Sequence, residues 1–168
     1  MFGFCISPEE NLDWVVRCKF SSLDHLRARV QRIKPDNHHV SGNWTAAQNL
    51  YHLAGAFEGS VTAGLPAGYS KAVRFILRPF RSVVTSYRFP PWIPIPAAIK
   101  DKLEPPRNVD FLEQKSRLLN AIDAFEEHDG NWPPHPVLGR LTQSEWTGFH
   151  LRHSEHHLSF VELDGISE

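Results

Sequence analysis

The sequence predicts an all-α protein: a four-helix bundle with a long crossover connection and a proline-rich insert. Four segments place apolar residues at helical spacing, and two of these segments open with a capping box. Six prolines lie between residues 90 and 106, so the connection between the second and third helices cannot be regular. With 168 residues, of which 41% are hydrophobic and 22% charged, the chain fits a single domain over residues 1–168.

The first helix is predicted to follow residues 1–20, for which two interpretations are open, a strand and an N-terminal cover. Ser21 or Ser22 can cap it, and it must stop before Pro35. Its apolar positions follow helical spacing: Leu23, Leu26, Val30 and Ile33. The next segment, 35–42, is polar and is interpreted as a loop that leaves His38 and His39 in solvent.

The second helix is expected from about Trp44 to Ala63, with Thr45 and Gln48 as a capping box. Its apolar stripe consists of Ala46, Leu50, Leu53, Phe57 and Val61. His52 lies nearly opposite this stripe, among small residues and amides. Two interpretations remain open: His52 is exposed to solvent, or it lines a cavity that faces the fourth helix.

Residues 64–107 form the predicted insert and crossover. The segment 71–78 places basic residues among apolar ones and resembles a short basic amphipathic helix that ends at Pro79. Such a helix binds an anion or a membrane surface, or packs its apolar side on the bundle. The segment 89–107 is too apolar for a free tether, and we expect it to lie across the bundle.

The third helix is predicted from Asn108 or Asp110 to the region of His128 to Gly130. Its buried side should hold Phe111, Leu112, Leu118, Leu119, Ile122 and Phe125. In the loop that follows, His135 lies between prolines. It can reach a site or can cap backbone groups.

The fourth helix, Thr142 to Val161, carries the compositional signal of the chain, since four of the ten histidines lie between 150 and 157. Thr142 and Glu145 form its capping box. One stripe holds Trp146, His150, His153, His157, Phe160 and Val161. Burying imidazoles on an apolar stripe costs free energy unless each finds a partner, and a metal ion is one such partner.

Residues four apart on a helix can ligate a single ion, so His153 and His157 form the favoured pair and His150 with His153 the competing one. The alternative is that these are ordinary core histidines with hydrogen-bond partners. Imidazole ligands suit a divalent ion, zinc or nickel best, although iron and copper also accept them.

The pattern resembles the DinB/YfiT-like family of metal-binding helical bundles, over roughly residues 20–162. The resemblance is carried by H-L-R-H-S-E-H-H at 150–157, by W-T-A-A-Q-N-L-Y-H-L at 44–53, and by the loop H-P-V-L-G-R-L-T followed by E-W. The loop is similar to an uncharacterised branch, known as a domain of unknown function. The resemblance implies three metal ligands, His52, His153 and His157.

The implied activity is that of a metal-dependent transferase or hydrolase that uses a metal-activated water or a low-molecular-weight thiol. In that reading His150 is the catalytic, proton-handling candidate, and Asn49 and Glu145 are candidate orienting groups. The alternative is a non-catalytic, metal-stabilised bundle that acts as a binding or interaction module. The absence of an H-E-x-x-H motif favours this alternative slightly.

Net charge and hydropathy limit the classes of partner that the sequence predicts. A net charge of −1 gives no reason to expect nucleic acid, and no apolar run is long enough to span a membrane. The first residues lack the features of a secretion signal, which predicts a cytoplasmic protein. We expect a small-molecule substrate or thiol as partner, and a homodimer is compatible with the sequence.

Overall fold

The computed structural model describes residues 18–62, 85–86 and 104–164. Within these ranges it contains four long helices and one two-stranded sheet, which confirms the predicted all-α bundle. The elements are α1 (Leu23–Arg32), β1 (His38–Val40), α2 (Ala46–Val61), α3 (Phe111–Glu126), α4 (Gln143–Leu158) and β2 (Val161–Leu163). Residues 1–17, the predicted basic helix at 71–78 and most of the 64–107 insert fall outside the described residues.

Each of the four helices begins at a side-chain cap. The side chains of Ser22 and Asp110 each accept a hydrogen bond from a backbone N–H in the first turn of α1 and α3. Thr45 and Thr142 open α2 and α4 with complete capping boxes, as the sequence predicts. The caps therefore fix where the helices start, and with them which residues face one another.

The predicted end of α4 is wrong by three residues. The helix ends at Leu158, and Val161 begins β2 instead of extending the helical stripe. Val161 is still fully buried, because the strand packs into the same core that the predicted stripe would have entered. Phe160 is only partly buried, and its ring would lie 3.3 Å from a Cβ atom placed on Gly42.

Packing of α2 positions the rest of the bundle, since its apolar face lies along α3 and its opposite side meets α4. Leu118, Ile122 and Phe125 of α3 fill this core as predicted. Leu112 was also expected on the buried side, but it is 63% exposed. The face of α3 that is buried follows Gln114, Leu118 and Ala121, and Leu112 falls outside that stripe.

A short antiparallel sheet replaces part of the predicted polar loop at 35–42. β1 pairs with β2, so that His38 faces Leu163 and Val40 faces Val161. Strands of only three residues show too little alternation of polar and apolar residues to be predicted from the sequence. His39 is exposed as expected, whereas His38 is partly buried and donates from Nδ1 to the backbone carbonyl of Lys34 (2.6 Å).

The side of α4 that faces away from α2 is also buried. Glu155, 1% exposed, accepts a hydrogen bond from the backbone N–H of Phe20 (2.7 Å) and pairs with Arg152 (2.8 Å). A Cβ atom at Gly148 would stand only 2.6 Å from the backbone oxygen of Thr85. None of the helices in the described ranges has the length and apolar character to cross a bilayer.

Candidate metal centre

His52 faces the interior of the bundle. It is 2% exposed, so the interpretation that places it in solvent is wrong and the one that directs it toward the fourth helix is confirmed. Asn49 and Ala56, one turn to either side, are buried with it. The side of α2 opposite its apolar stripe is thus covered by α4, which the composition of α2 alone could not reveal.

Three imidazoles from two helices converge at this point: His52, His153 and His157. Their nearest ligand atoms all lie within 4.8 Å of one another, and the Nε2 atoms of His52 and His153 are 3.1 Å apart. Two nitrogens that each lie about 2.0–2.1 Å from one zinc ion are at most about 4.2 Å apart. The closest pair, His52 and His153, already meets this condition.

Burial keeps the rings in the form that binds metal. Desolvation lowers the pKa values of His153 and His157 well below the ordinary value, and the neighbouring imidazole of His52 lowers them further. Neutral imidazole has a free lone pair, whereas imidazolium has none. The Nε2 atoms of His52 and His153, 3.1 Å apart, lie at a distance that fits an N–H···N hydrogen bond, and they also point to a common position for a cation.

Asn49 contacts the cluster directly. Its Oδ1 atom lies 3.1 Å from Nδ1 of His157, so the hydrogen bond expected of an orienting group is present. The other orienting candidate, Glu145, accepts hydrogen bonds from the backbone N–H (2.8 Å) and hydroxyl (3.2 Å) of Thr142. These bonds place its carboxylate in the capping box at the start of α4.

Two aromatic side chains flank the histidines. The indole of Trp44 stacks on His157, with centroids 5.5 Å apart and planes 9° apart, and lies 5.1 Å from His52. Phe149 lies 5.3 Å from His153. Sequence reasoning missed Trp44 as a site residue. Its place immediately before the N-cap Thr45 predicts contact with the first turns of α2, but not the stack on His157, which arises when α4 packs there.

His150 lies in the same helix but outside the three-histidine cluster. It is 1% exposed, its ring stacks on Phe57 (3.9 Å), and its Nε2 lies 3.0 Å from Oγ of Ser60. Since Ser60 donates its own hydrogen to the carbonyl of Phe57, His150 Nε2 is the donor to the hydroxyl. The structure therefore brings His153 and His157 to His52, and directs His150 to Ser60.

His135 has the second of its two proposed roles. Its Nδ1 accepts hydrogen bonds from the backbone N–H groups of Val137 (3.1 Å) and Leu138 (3.0 Å). The residue is 8% exposed, and burial lowers its pKa to about 3. It caps the loop that leads into α4.

A family model described as "Protein of unknown function (DUF1569)" matches residues 16–163. The chain belongs to this family. The match covers all six described elements and all three clustered histidines, so the candidate centre lies within the DUF1569 domain. No curated protein and no solved structure matches the chain.

Proposed function

We propose that this DUF1569 protein is a DinB-like metal-binding bundle in which His52, His153 and His157 hold one divalent ion. The observation that carries the proposal is the convergence of three buried imidazoles from α2 and α4, with two Nε2 atoms 3.1 Å apart. Burial disfavours the charged form of His153 and His157, and a cation bound at the point of convergence would accept a lone pair from all three rings.

The donor set fits zinc or nickel best among common ions. Three imidazole nitrogens suit these metals, and three protein ligands leave room for a further ligand, as in catalytic zinc sites. When bound, such an ion supplies Lewis-acid chemistry that lowers the pKa of a water or thiol ligand. This supports a transferase or hydrolase that acts on a small molecule with water or a low-molecular-weight thiol as nucleophile.

The chain's own residues would position and shield that chemistry. Trp44 and Phe149 flank the ligands with apolar surface, and Asn49 holds His157. His150 remains the proton-handling candidate. Its 1% exposure and its hydrogen bond to Ser60 mean that such a role requires either a relay through Ser60 or an opening of the aromatic packing around the ring.

Metal content of the purified protein tests the proposal. We expect one zinc or nickel ion per chain by elemental analysis. Replacing His52, His153 or His157 by alanine should weaken binding roughly 100-fold or more, since losing only an outer hydrogen-bond partner of a ligand typically costs 10–100-fold. His39→Ala is the matched control, because this imidazole is exposed and lies in β1. Equal binding by His52→Ala and His39→Ala would reject the centre.

The deep burial of His52 and His157, 2% and 9% exposed, favours a second candidate function in which the ion only stabilises the bundle. Both candidates predict that a chelator lowers Tm, because an ion bound only by the folded chain stabilises it by about 2.7 kcal/mol at 100 times its Kd. They differ in turnover. The enzyme proposal predicts metal-dependent product formation in a panel of thiols and electrophiles, and a metal-loaded protein inert across that panel supports the stabilising role.

A further inference from the structure

The side-chain amide of Asn49 can be oriented from its surroundings. Asn49 is 2% exposed, and one end of its amide lies 3.0 Å from the backbone oxygen of Thr45 and 3.4 Å from that of Trp44. Carbonyl oxygens only accept hydrogen bonds, so the NH₂ group must face them. Rotating the amide by half a turn would place its oxygen against two other oxygens in a buried site. The oxygen of Asn49 therefore faces His157.

This orientation determines the tautomer of His157. An amide oxygen is only an acceptor, so the Nδ1 atom of His157, 3.1 Å away, must carry the hydrogen. In the neutral ring the second nitrogen, Nε2, then holds the free lone pair. His52 and His153 also direct their Nε2 atoms at each other. All three rings thus offer the same atom to the centre of the cluster.

We infer that Asn49 is a positioning residue that locks His157 in the Nδ1–H tautomer and so presents Nε2 as its ligating atom. The link to metal rests on the proposed function, whereas the tautomer is a property of the metal-free protein. The stack of Trp44 on the ring of His157 restrains the plane of that ring. The Asn49 amide, which also bonds the Trp44 carbonyl, ties the two together.

Nitrogen NMR of histidine-labelled, metal-free protein tests the inference. The long-range ¹H–¹⁵N pattern of each ring reports which nitrogen carries hydrogen, and comparison with His157→Gln assigns the signal. We expect the Nδ1–H form for His157 in the wild-type protein. In Asn49→Leu, which removes the acceptor, the ring should move to the Nε2–H form or to a mixture.

Asn49→Asp is the matched control. It keeps an acceptor for His157 but loses the donation to the carbonyls of Thr45 and Trp44, so it separates the two contacts of Asn49. We expect it to retain the Nδ1–H tautomer. Titration with zinc should show about 10–100-fold weaker binding for Asn49→Leu and a smaller loss for Asn49→Asp.

Two results would overturn the inference: an Nε2–H tautomer for His157 in the wild-type protein, or an Asn49→Asp spectrum that matches that of Asn49→Leu. Circular dichroism establishes that each variant is folded, and Asn49→Ala removes the same acceptor if leucine prevents folding. If the tautomers follow expectation while the wild-type protein binds no zinc, the positioning role stands and the metal proposal fails.

Discussion

At the residue scale, the buried histidines show two ways of keeping an imidazole in a protein core. His135 satisfies its Nδ1 lone pair with two backbone N–H donors, and no ion is needed. His52 and His153 instead direct their Nε2 atoms at each other, 3.1 Å apart, at hydrogen-bond distance. The difference explains why histidine content alone did not separate core residues from candidate ligands: the deciding property is the partner of each ring nitrogen, which the sequence does not show.

The buried imidazole of His135 should lower the stability of the folded protein at acid pH. Burial lowers its pKa from 6.5 to about 3, so between these values the unfolded chain binds a proton that the folded chain does not. Its contribution to the free energy of unfolding is intact above pH 6.5. That contribution falls by up to about 1.4 kcal/mol per pH unit as the pH drops towards 3.

Denaturant unfolding of the wild-type protein and His135→Asn at pH 7.5 and pH 5 measures this contribution. Asparagine can still accept from the loop backbone but does not titrate. We expect the wild-type protein to lose about 2 kcal/mol more than the variant between the two pH values. An equal decrease in the free energy of unfolding in both proteins would show that His135 does not titrate as its burial requires.

At the element scale, α4 is the helix on which both the site and the packing depend. One side carries His153 and His157 toward α2, and the other side holds Glu155 and Gly148 against Phe20 and Thr85, which lie outside the four helices. Gly148 is required by the close approach of the Thr85 backbone. A glycine in mid-helix usually lowers helix stability by about 0.5–1 kcal/mol relative to alanine, so its presence here has a steric reason.

Gly148→Ala should therefore destabilise the protein, although alanine has a higher helix propensity than glycine. The new methyl group would stand 2.6 Å from the Thr85 oxygen, a contact that the backbone must relieve by moving. We expect a loss of about 1–3 kcal/mol in the free energy of unfolding. Ser144→Ala, at an exposed position in the first turn of α4, is the control and should change it by less than about 0.5 kcal/mol. A stabilised Gly148→Ala would mean that Thr85 does not pack there.

The helices were largely predictable from sequence because their starts are set by local chemistry. Ser22, Thr45, Asp110 and Thr142 cap within a few residues of themselves, and those contacts can be read from spacing. β1 and β2 were not predictable, because each is stabilised by a partner more than a hundred residues away. The end of α4 was missed for the same reason, since Val161 pairs with Val40.

At the scale of the whole molecule, contacts distant in sequence join the two ends of the described chain to the bundle. Glu155 binds the backbone of Phe20, and Arg152 donates to the Phe20 carbonyl (2.6 Å). The strand pair adds a second connection between the segment before α2 and the segment after α4. These contacts restrain α4 on the side opposite His153 and His157.

Glu155→Ala tests this connection. The substitution leaves Arg152 without this carboxylate and removes the acceptor of a buried N–H group. Removing one partner of a buried ion pair costs about 3–5 kcal/mol, and we expect a decrease of that order in the free energy of unfolding. Glu127→Ala, an exposed position at the end of α3, is the control. If both variants unfold at the same denaturant concentration, Glu155 does not anchor the N-terminal segment.

The candidate site was only partly predictable. His153 and His157 follow from four-residue spacing on one helix. His52 was reached through resemblance, because its position on α2 is polar by pattern and becomes buried only when α4 packs over it. Trp44 was missed since its contacts with His52 and His157 arise from the same packing.

The division of the three histidines between helices has a consequence for assembly. His153 and His157 are one turn apart, so α4 alone would present two imidazoles to a metal ion, whereas His52 joins them only when α2 docks. An ion captured early by α4 would then recruit α2 in antiparallel register, guided by the paired contacts of Asn49 with His157 and Ser60 with His150. In such a pathway the cation acts as a template for the last docking step of the fold.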